Sequence, residues 1–389
     1  MSASSSAVSS STPVFGLYVH VPFCRTRCVY CAFYSTTFGT ELQRKYVEAV
    51  RLEMARRQDE LPGVAQTVYL GGGTPSVLEA SALEQLFASF HRYFSVSPDA
   101  EITIEANPDD VDAAFCRRLK ALGVNRVSLG VQSLSNARLR FLRRRHDAAG
   151  AVEAVRLLKE YGIDNISIDL IFGLPGQSLE EWQQDVHTAL SLPVTHLSAY
   201  SLMVEEGTPL QRMVELGEVA DTDEAVYEAM MTHLAEAAEM AGFEHYEISN
   251  YARQGFRSRH NSSYWQGTPY LGLGPAAHSY DGLNLRRANT ADLHAYLAAT
   301  DGGVPHTTER LTEAELQDEM VMTALRCREG IDLGRLGERF GSDAANEIRR
   351  LALPHIDSGL LTWRLDGRLA LTRRGIMLSD RVMADLMIG

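Results

Sequence analysis

The sequence lacks features that several classes of protein require. No apolar run approaches the roughly 20 residues that a helix needs to span a bilayer. Lysine and arginine form no basic stripe. The chain has 37 lysines and arginines and 50 aspartates and glutamates, so the formal net charge is −13. We therefore predict no nucleic-acid partner. Residues 1–13 contain no lysine, arginine or apolar stretch, which predicts a disordered tail and no export signal.

Cysteine is also scarce. Only five cysteines occur in 389 residues, and Cys24, Cys28 and Cys31 lie close together. Cys116 and Cys327 stand alone within helical patterns. In a chain without an export signal, this distribution indicates metal binding in a reducing compartment and argues against a disulfide framework. We therefore predict a cytoplasmic protein.

Short apolar runs alternate with longer amphipathic ones from residue 14 to about residue 205. Such repeated strand–helix units predict an α/β fold with a parallel sheet. The pattern allows either a doubly wound sheet or an incomplete barrel. The predicted strands are Phe15–Val21, Thr67–Leu70, Glu101–Glu105, Arg126–Val131, Asn165–Ile171 and His196–Ser201. The predicted helices are Glu41–Glu60, Leu78–Phe94, Val111–Leu122, Ala149–Tyr161 and Leu179–Leu190.

The alternation stops after about residue 205. We predict a helix at Asp221–Ala241, a strand at Phe243–Ile248 and, after a stretch rich in Gly, Tyr and His, a helix at Thr312–Cys327. Two short strands, Leu360–Arg364 and Arg368–Leu371, give the end of the chain a winged-helix-like character. The predicted divisions are a tail (1–13), a main α/β domain (14–205), a segment that completes it (206–300) and a smaller C-terminal α+β, mainly helical domain (301–389).

The clustered cysteines are separated by three and two residues, which is tight enough to bring three thiolates onto one small object. Structural zinc normally takes four ligands as two separated pairs, and the sequence has no second pair. Three thiolates suit a 4Fe–4S cluster whose fourth iron stays open to another ligand. His20, four residues before Cys24, keeps a zinc site open as the alternative.

Polar and glycine residues collect where the predicted strands end. The segment 71–75 (Gly-Gly-Gly-Thr-Pro) separates a strand from a helix, and its glycines let backbone approach a ligand closely. Glu105, Gln132, Arg144 and Asp169 each fall at or just beyond a strand end. Because ligands bind at the carboxyl ends of parallel strands, these residues indicate one common site. Their side chains suit ribose hydroxyls and a carboxylate.

The Cys-x-x-x-Cys-x-x-Cys spacing directly after the first strand resembles the motif of the radical-SAM superfamily. The resemblance implies a 4Fe–4S cluster on Cys24, Cys28 and Cys31, whose open iron binds S-adenosylmethionine (SAM). It also implies the superfamily fold, an incomplete (β/α)6 barrel, and a glycine loop that contacts the SAM amino group.

Four longer segments, 17–24, 71–75, 105–108 and 169–176, resemble those of oxygen-independent coproporphyrinogen III oxidases and their relatives. This narrower resemblance runs over nearly the whole chain. It implies that Tyr18 and Arg144 contact the SAM carboxylate or nearby groups and that Tyr30 places an aromatic ring near the adenine. It also implies that the methionine end is contacted by Gly72, Gly73 and Thr74 and that the pocket is completed by Glu105, Gln132 and Asp169.

Two departures separate the chain from the oxidases. The oxidases carry Cys-x-Cys at the end of the motif, whereas Cys31 is followed by Ala32 and Phe33. They also have a substantial N-terminal extension, whereas 23 residues precede Cys24. Both features instead resemble the HemW-type heme chaperones, which keep the cluster and SAM but lack the oxidase activity.

The segment 260–265 (His-Asn-Ser-Ser-Tyr-Trp) resembles the signature associated with heme binding in these chaperones, which implies a heme site at His260, Asn261, Tyr264 and Trp265. An imidazole can bind heme iron, and the two aromatic side chains offer flat apolar surface. The residue types alone also fit a turn whose aromatics plug the barrel and whose histidine caps a backbone carbonyl. His278 is a second candidate for the iron ligand.

We therefore expect a heme chaperone that passes heme to acceptor hemoproteins, membrane-bound ones included, with a dimer as one expected assembly. The first alternative is coproporphyrinogen III dehydrogenation by radical decarboxylation of propionates. The second is a radical methyltransferase, which is disfavoured because no extra cysteine is suitably placed to accept a methyl group. The sequence assigns no catalytic residue.

Overall fold

A computed structural model describes residues 12–37, 39–220, 222–299 and 303–388. The predicted tail at 1–13 lies outside these residues except for its last two positions. Within the described ranges, no helix combines the length and the apolar character needed to cross a membrane.

In the part of the chain that the structure describes, the strands form one twelve-stranded sheet and one hairpin. In chain order they are β1 (Val14–Val21), β2 (Val64–Gly72), β3 (Val96–Ala106), β4 (Arg126–Gln132), β5 (Asn165–Phe172), β6 (His196–Ser201), β7 (Glu244–Glu247), β8 (Asn250–Ala252), β9 (Tyr270–Leu273), β10 (His278–Tyr280), β11 (Leu285–Asn289), β12 (His306–Arg310), β13 (Leu361–Trp363) and β14 (Leu369–Leu371).

The helices follow the same order. They are α1 (Thr40–Arg57), α2 (Ala80–Tyr93), α3 (Ala113–Ala121), α4 (Asn136–Phe141), α5 (Ala148–Glu160), α6 (Leu179–Ser191), α7 (Pro209–Glu215), α8 (Glu224–Met240), α9 (Arg259–Trp265), α10 (Leu293–Ala298), α11 (Glu313–Arg326), α12 (Leu333–Phe340), α13 (Ser342–Asp357), α14 (Arg373–Met377) and α15 (Ser379–Leu386).

The order of the strands decides between the two predicted architectures. Strands β1 to β6 lie side by side in chain order, and each pairs in parallel with the next. When every strand is added on the same side of the one before it, right-handed crossovers place all the connecting helices on one face of the sheet. In a doubly wound sheet the direction in which strands are added reverses, so that helices cover both faces. The chain therefore forms the incomplete (β/α)6 barrel. Strand β9 extends it in parallel beyond β1, and antiparallel strands β10–β12 and β8–β7 complete the two edges.

Alternate residues of the barrel strands face opposite sides of the sheet. Leu17, Val19 and Ile104 are fully buried in the core that the sheet forms with its helices. The residues between such positions are polar and do not belong to that core, so they line the inside of the barrel. This inner set includes Tyr18, Thr67, Tyr69, Thr103, Glu105, Ser128, Asp169 and Ser198.

The C-terminal domain has a hydrophobic core of its own, built from α11, α12, α13, α15 and the β13–β14 hairpin. Three helices followed by a hairpin agree with the winged-helix-like character that the sequence predicts. The domain joins the barrel through backbone hydrogen bonds from Ile248 N–H to the Arg326 carbonyl (3.2 Å) and from Arg328 N–H to the Tyr246 carbonyl (3.0 Å). Strand β12 pairs with β11 in the large sheet, so this second core begins after residue 310 and not at 301.

The stretch between residues 243 and 280 contains more secondary structure than the sequence predicts. Besides the expected strand it forms β8, α9, β9 and the short β10. The motif at 260–265 lies on helix α9, whose first turn is capped by the Ser258 hydroxyl, so the alternative prediction of a turn is wrong. These elements are three to seven residues long, which is too short for a hydrophobic period to reveal them.

Candidate cofactor site and an adjoining cleft

The glycine loop, residues 71–75, must pass very close to the end of β1. Gly72 has a φ of +105°, and a Cβ there would lie 2.6 Å from the His20 ring. A Cβ on Gly73 would lie 2.8 Å from a backbone carbonyl oxygen of the segment after β1. Only glycine fits both positions without movement of the neighbours. The approach brings the Thr74 hydroxyl to 3.3 Å from Cys24 Sγ.

The cysteine loop, residues 22–37, follows β1 at the carboxyl end of the barrel. Cys24, Cys28 and Cys31 are partly buried and line one cavity of about 660 Å³, which we call the cofactor cavity. Arg144 Nη1 donates a hydrogen bond to Cys28 Sγ at 3.4 Å and places positive charge beside the thiols. Three thiols next to a guanidinium fit the donor set of a 4Fe–4S cluster with one open iron.

The zinc alternative is disfavoured by the position of His20. Its imidazole is buried, with Nδ1 3.1 Å from the Tyr18 hydroxyl and Nε2 2.9 Å from the Tyr34 carbonyl oxygen, so neither nitrogen is available to a metal. Cys116 is buried on α3 and Cys327 follows α11; neither lines the cofactor cavity. Across the described ranges, no three His, Cys, Asp or Glu side chains are arranged to hold a single ion.

Two carboxylates lie on the floor of the cofactor cavity, near the ends of β3 and β5. Glu105 accepts hydrogen bonds from the Tyr69 hydroxyl (2.8 Å) and the Gly72 N–H (3.1 Å). Its burial raises the pKa of the Glu105 carboxyl to about 7. Asp169 accepts a hydrogen bond from the Ser128 hydroxyl at 3.2 Å, and burial also raises its pKa. Buried carboxylates with spare acceptor oxygens can bind ligand hydroxyls or an ammonium group.

The cavity wall at β4 has an unusual backbone. Gln132 and Arg143 have positive φ values of 69° and 58°, which is rare for residues other than glycine and concentrates at functional sites. Arg144 directly follows Arg143, and its Nη2 donates to Asn107 Oδ1 at 2.6 Å. Of the three adjacent arginines, Arg144 lines the cavity, whereas Arg145 forms ion pairs outside it.

Most of the predicted cofactor residues therefore come together. Those that line the cofactor cavity are Cys24, Cys28, Cys31, Tyr30, Gly72, Gly73, Thr74, Glu105, Gln132, Arg144 and Asp169. Tyr18 does not line it: its side chain points to the other side of His20, and the prediction that it contacts SAM has no support from its position. Five further lining residues had no individual role predicted from the sequence. Asn107, Tyr200, Met203 and Glu205 lie at or just beyond strand ends, and Ser128 lies within β4.

A second cavity of about 960 Å³, which we call the cleft, lies between the barrel and the C-terminal domain. The barrel side supplies aromatic side chains, and Tyr264 and Tyr270 pack edge to face with ring centroids 4.6 Å apart. Other residues that line the cleft include Tyr18, His20, Trp265, His278, Tyr280, Arg286, Arg335, Arg339 and Cys327. Ala32 and Phe33 line both the cleft and the cofactor cavity, so the two spaces meet at the end of the cysteine motif.

The motif on α9 divides between the cleft and the barrel interior. Tyr264 and Trp265 line the cleft, whereas His260 is 1% exposed beneath them. Its Nδ1 lies 2.7 Å from the Thr67 hydroxyl and its Nε2 lies 2.7 Å from the Tyr264 hydroxyl. Burial, and next the charge of Arg126, lower the pKa of His260 to about 3. Both imidazole nitrogens are therefore occupied, and the prediction that His260 binds heme iron is not supported by this geometry.

The other two motif residues have structural contacts. The Asn261 N–H donates to the Ser258 hydroxyl at the start of α9 (3.3 Å), and Asn261 does not line the cleft. Trp265 packs against the Arg326 guanidinium, 4.5 Å from the ring centroid, which joins α9 to the C-terminal domain. The Trp265 indole N–H is buried and has no hydrogen-bond partner among the described residues.

Comparison with known proteins first identifies the class. The sequence matches the Radical SAM superfamily over residues 18–189 and the HemN C-terminal domain over residues 311–378. The fold is similar to that of coproporphyrinogen III oxidase (HemN) from Escherichia coli, a radical SAM enzyme, with a TM-score of 0.84 over 97% of this chain and 90% of that chain. The two sequences are 22% identical, so this likeness shows the fold alone.

Relatives of similar length define the family more narrowly. The heme chaperone HemW of Mycobacterium tuberculosis is 38% identical over 387 residues, which cover 96% of this chain and 95% of that protein. HemW of Bacillus subtilis is 33% identical and covers 94% of this chain and 97% of its own length. HemW of Escherichia coli is 35% identical over 72% of this chain and 74% of its own. The chain belongs to the HemW family of radical-SAM proteins.

Proposed function

We propose that this protein is a heme chaperone that binds heme in the cleft and transfers it to acceptor hemoproteins. The observation that carries the proposal is a cleft of about 960 Å³ that combines aromatic walls with arginine side chains directly beside the cysteine loop. This volume lies within the range of small-molecule and cofactor sites. Relatives that match nearly the whole chain are named heme chaperones, which supports the proposal.

The chemistry of the cleft matches both parts of heme. Tyr264, Trp265 and Tyr270 present flat apolar surface on which a macrocycle can pack. Arg335 and Arg339 on α12 face the same space, and among the described residues neither forms an ion pair with a carboxylate. Guanidinium groups that are not paired with a protein carboxylate are suited to bind the two propionates of heme.

The cofactor cavity is suited to a 4Fe–4S cluster and SAM. Cys24, Cys28 and Cys31 would hold three irons, and the cluster would supply an open iron for the amino and carboxylate groups of SAM. Arg144 holds positive charge against Cys28 and limits the cost of burying thiolates. Glu105, Asp169 and the glycine loop supply the acceptors and the close backbone that the remainder of SAM requires.

Ala32 and Phe33, which line both cavities, would couple the two sites. They follow Cys31 directly, so ligation of the cysteines by the cluster would fix the backbone that forms one side of the cleft. Phe33 is 67% exposed and offers its ring to a flat ligand. In this proposal the cluster orders the heme site, and no step requires SAM to be cleaved.

The remaining predictions follow from this function. Acceptors would be heme-free hemoproteins, including membrane-bound ones. Reduced thiols need a reducing compartment, so the chaperone would act in the cytoplasm. A dimer is a separate prediction, which light scattering of the cluster-loaded chain at several concentrations would test.

The test pairs two assays on the anaerobically purified full chain with its cluster reconstituted. Hemin is titrated and followed by absorbance, and coproporphyrinogen III is supplied with SAM and a reductant. We expect heme to bind and then move to a heme-free acceptor, with no turnover of the porphyrinogen. Catalytic formation of protoporphyrinogen would contradict the proposal in favour of the oxidase, and so would an absence of heme binding by the cluster-loaded chain.

A further inference from the structure

We infer that His278 is the protein ligand of the heme iron. This inference rests on the proposed function, since it assumes that the cleft holds heme. His278 is the first residue of β10, and its exposed side chain lines the cleft together with Tyr264, Trp265 and Tyr280. Within the described residues, no group forms a hydrogen bond with the His278 imidazole. A neutral imidazole in this state has a nitrogen lone pair free for iron.

The other histidines near the cleft lack that freedom. His20 also lines the cleft, but both of its nitrogens are engaged, by the Tyr18 hydroxyl and the Tyr34 carbonyl. His260 lies behind Tyr264 and is held at both nitrogens. A heme that reached His260 would have to displace the Tyr264 hydroxyl and enter a fully buried space. A heme in the cleft meets His278 without any such rearrangement.

The backbone holds His278 rigidly, as a metal ligand requires. Its own strand pairs with β11, where His278 lies opposite Ala288. Two residues earlier, Ala276 has a positive φ of 61°, and its N–H donates to the Thr290 carbonyl at 3.2 Å. Such a conformation costs free energy outside glycine and persists where surrounding contacts fix it. A Cβ on Gly272 would lie 1.9 Å from the His278 carbonyl oxygen, so β9 also packs tightly against this residue.

The position of His278 also orients the heme. His278 and Tyr280 belong to the sheet, whereas Arg335 and Arg339 belong to α12 of the C-terminal domain. With its iron on His278 and its propionates toward α12, one heme contacts both domains at once. Cys327 lies in the same cleft at the end of α11, where burial raises the pKa of its thiol to about 12, so it stays a neutral thiol and is a poor competitor for the iron.

The test compares the heme spectra of variants of the full, cluster-loaded chain. Absorbance, electron paramagnetic resonance and resonance Raman spectra of bound hemin are recorded for wild type, His278→Ala, His260→Ala and His294→Ala. His294 is exposed on α10 outside the cleft and serves as the matched control. We expect His278→Ala to lose the histidine-ligated spectrum and to bind hemin about tenfold or more weakly, with added imidazole restoring the spectrum.

Because His278 is exposed, its replacement by alanine removes no core packing, and a thermal unfolding curve is compared with that of wild type to check folding. His278→Met is a second variant that keeps a ligand and should change the spectrum without abolishing binding. An unchanged spectrum in both His278 variants would overturn the inference and leave the proposed function intact. Loss of the histidine-ligated spectrum in folded His260→Ala, with His278→Ala unaffected, would also overturn it. Failure of wild type to bind hemin would instead refute the proposed function.

Discussion

The hydroxyl of Tyr264 lies 2.7 Å from Nε2 of His260, one helical turn earlier on α9. On its other side the imidazole contacts the Thr67 hydroxyl, and it stacks on the Tyr69 ring with centroids 4.9 Å apart. The backbone N–H of His260 also donates to the Glu101 carboxylate at 3.0 Å. These contacts make His260 the link between α9 and the inside of the barrel, and they leave Tyr264 and Trp265 as the part of the motif that faces the cleft.

The enclosed His260 predicts a specific dependence of stability on pH. Folding lowers its pKa from about 6.5 in the unfolded chain to about 3. Between these values the unfolded chain binds a proton that the folded chain does not, so this contribution to stability is present above pH 6.5 and is lost as pH falls. At pH 5 the loss from His260 alone is about 2 kcal/mol of the free energy of unfolding relative to pH 7.

Urea unfolding of the full chain at pH 7 and pH 5 checks this prediction. His260→Gln should show a smaller drop between the two pH values than wild type, even if the substitution itself is destabilising. The exposed His294→Gln variant should retain the wild-type drop. The prediction fails if His260→Gln keeps the full wild-type dependence on pH.

The cysteine loop predicts which thiols hold iron. Replacement of Cys24, Cys28 or Cys31 by alanine should abolish the brown absorbance of the reconstituted chain and lower the iron content from about four per chain. Cys116→Ala is the matched control, since this thiol is buried on α3, away from the cofactor cavity, and its loss should leave the iron content unchanged. Metal analysis of the as-purified protein should find iron and no zinc, and stoichiometric zinc would favour the alternative site.

The glycine loop predicts a steric requirement for the cofactor cavity. In Gly73→Ala the new methyl group would lie 2.8 Å from the Phe23 carbonyl oxygen, so either the glycine loop or the cysteine loop must move. We expect SAM affinity to fall by tenfold or more and stability by about 1–3 kcal/mol. Isothermal titration with SAM and urea unfolding measure the two effects. Gly39→Ala has open space around its Cβ and should match wild type in both.

The arginines on α12 predict how the propionates bind. Arg339→Gln removes one guanidinium from the cleft and should weaken hemin binding by about 1–3 kcal/mol. Heme dimethyl ester, which lacks the two negative charges, should bind wild type and Arg339→Gln equally. Arg349→Gln on α13, outside the cleft, is the control for a change of net charge. An equal loss for hemin and for the ester would show that Arg339 contributes packing and not charge.

Much of the barrel and of the cofactor cavity can be predicted from local sequence. The alternation of β1 to β6 with their helices has a clear period, and each polar loop directly follows its strand, so strand positions and cavity residues such as Glu105 and Asp169 follow from pattern and topology. Tyr18 shows the limit of that reasoning. It lies on β1, the strand that leads into the cysteine loop, but its side chain is directed toward His20 and the cleft.

The sequence by itself determined the three-cysteine loop, the glycine loop and the barrel strands, because each depends on residues within a few positions of one another. Only the tertiary structure decided the order in which the strands are arranged in the sheet and which side chains line the cleft. The strand order excluded the doubly wound sheet, since crossover direction is a property of the assembled sheet. Docking of the C-terminal domain created the cleft from segments far apart in the chain. Packing then enclosed His260 and left His278 open, because burial and hydrogen bonding of an imidazole depend on neighbours that the sequence does not place beside it.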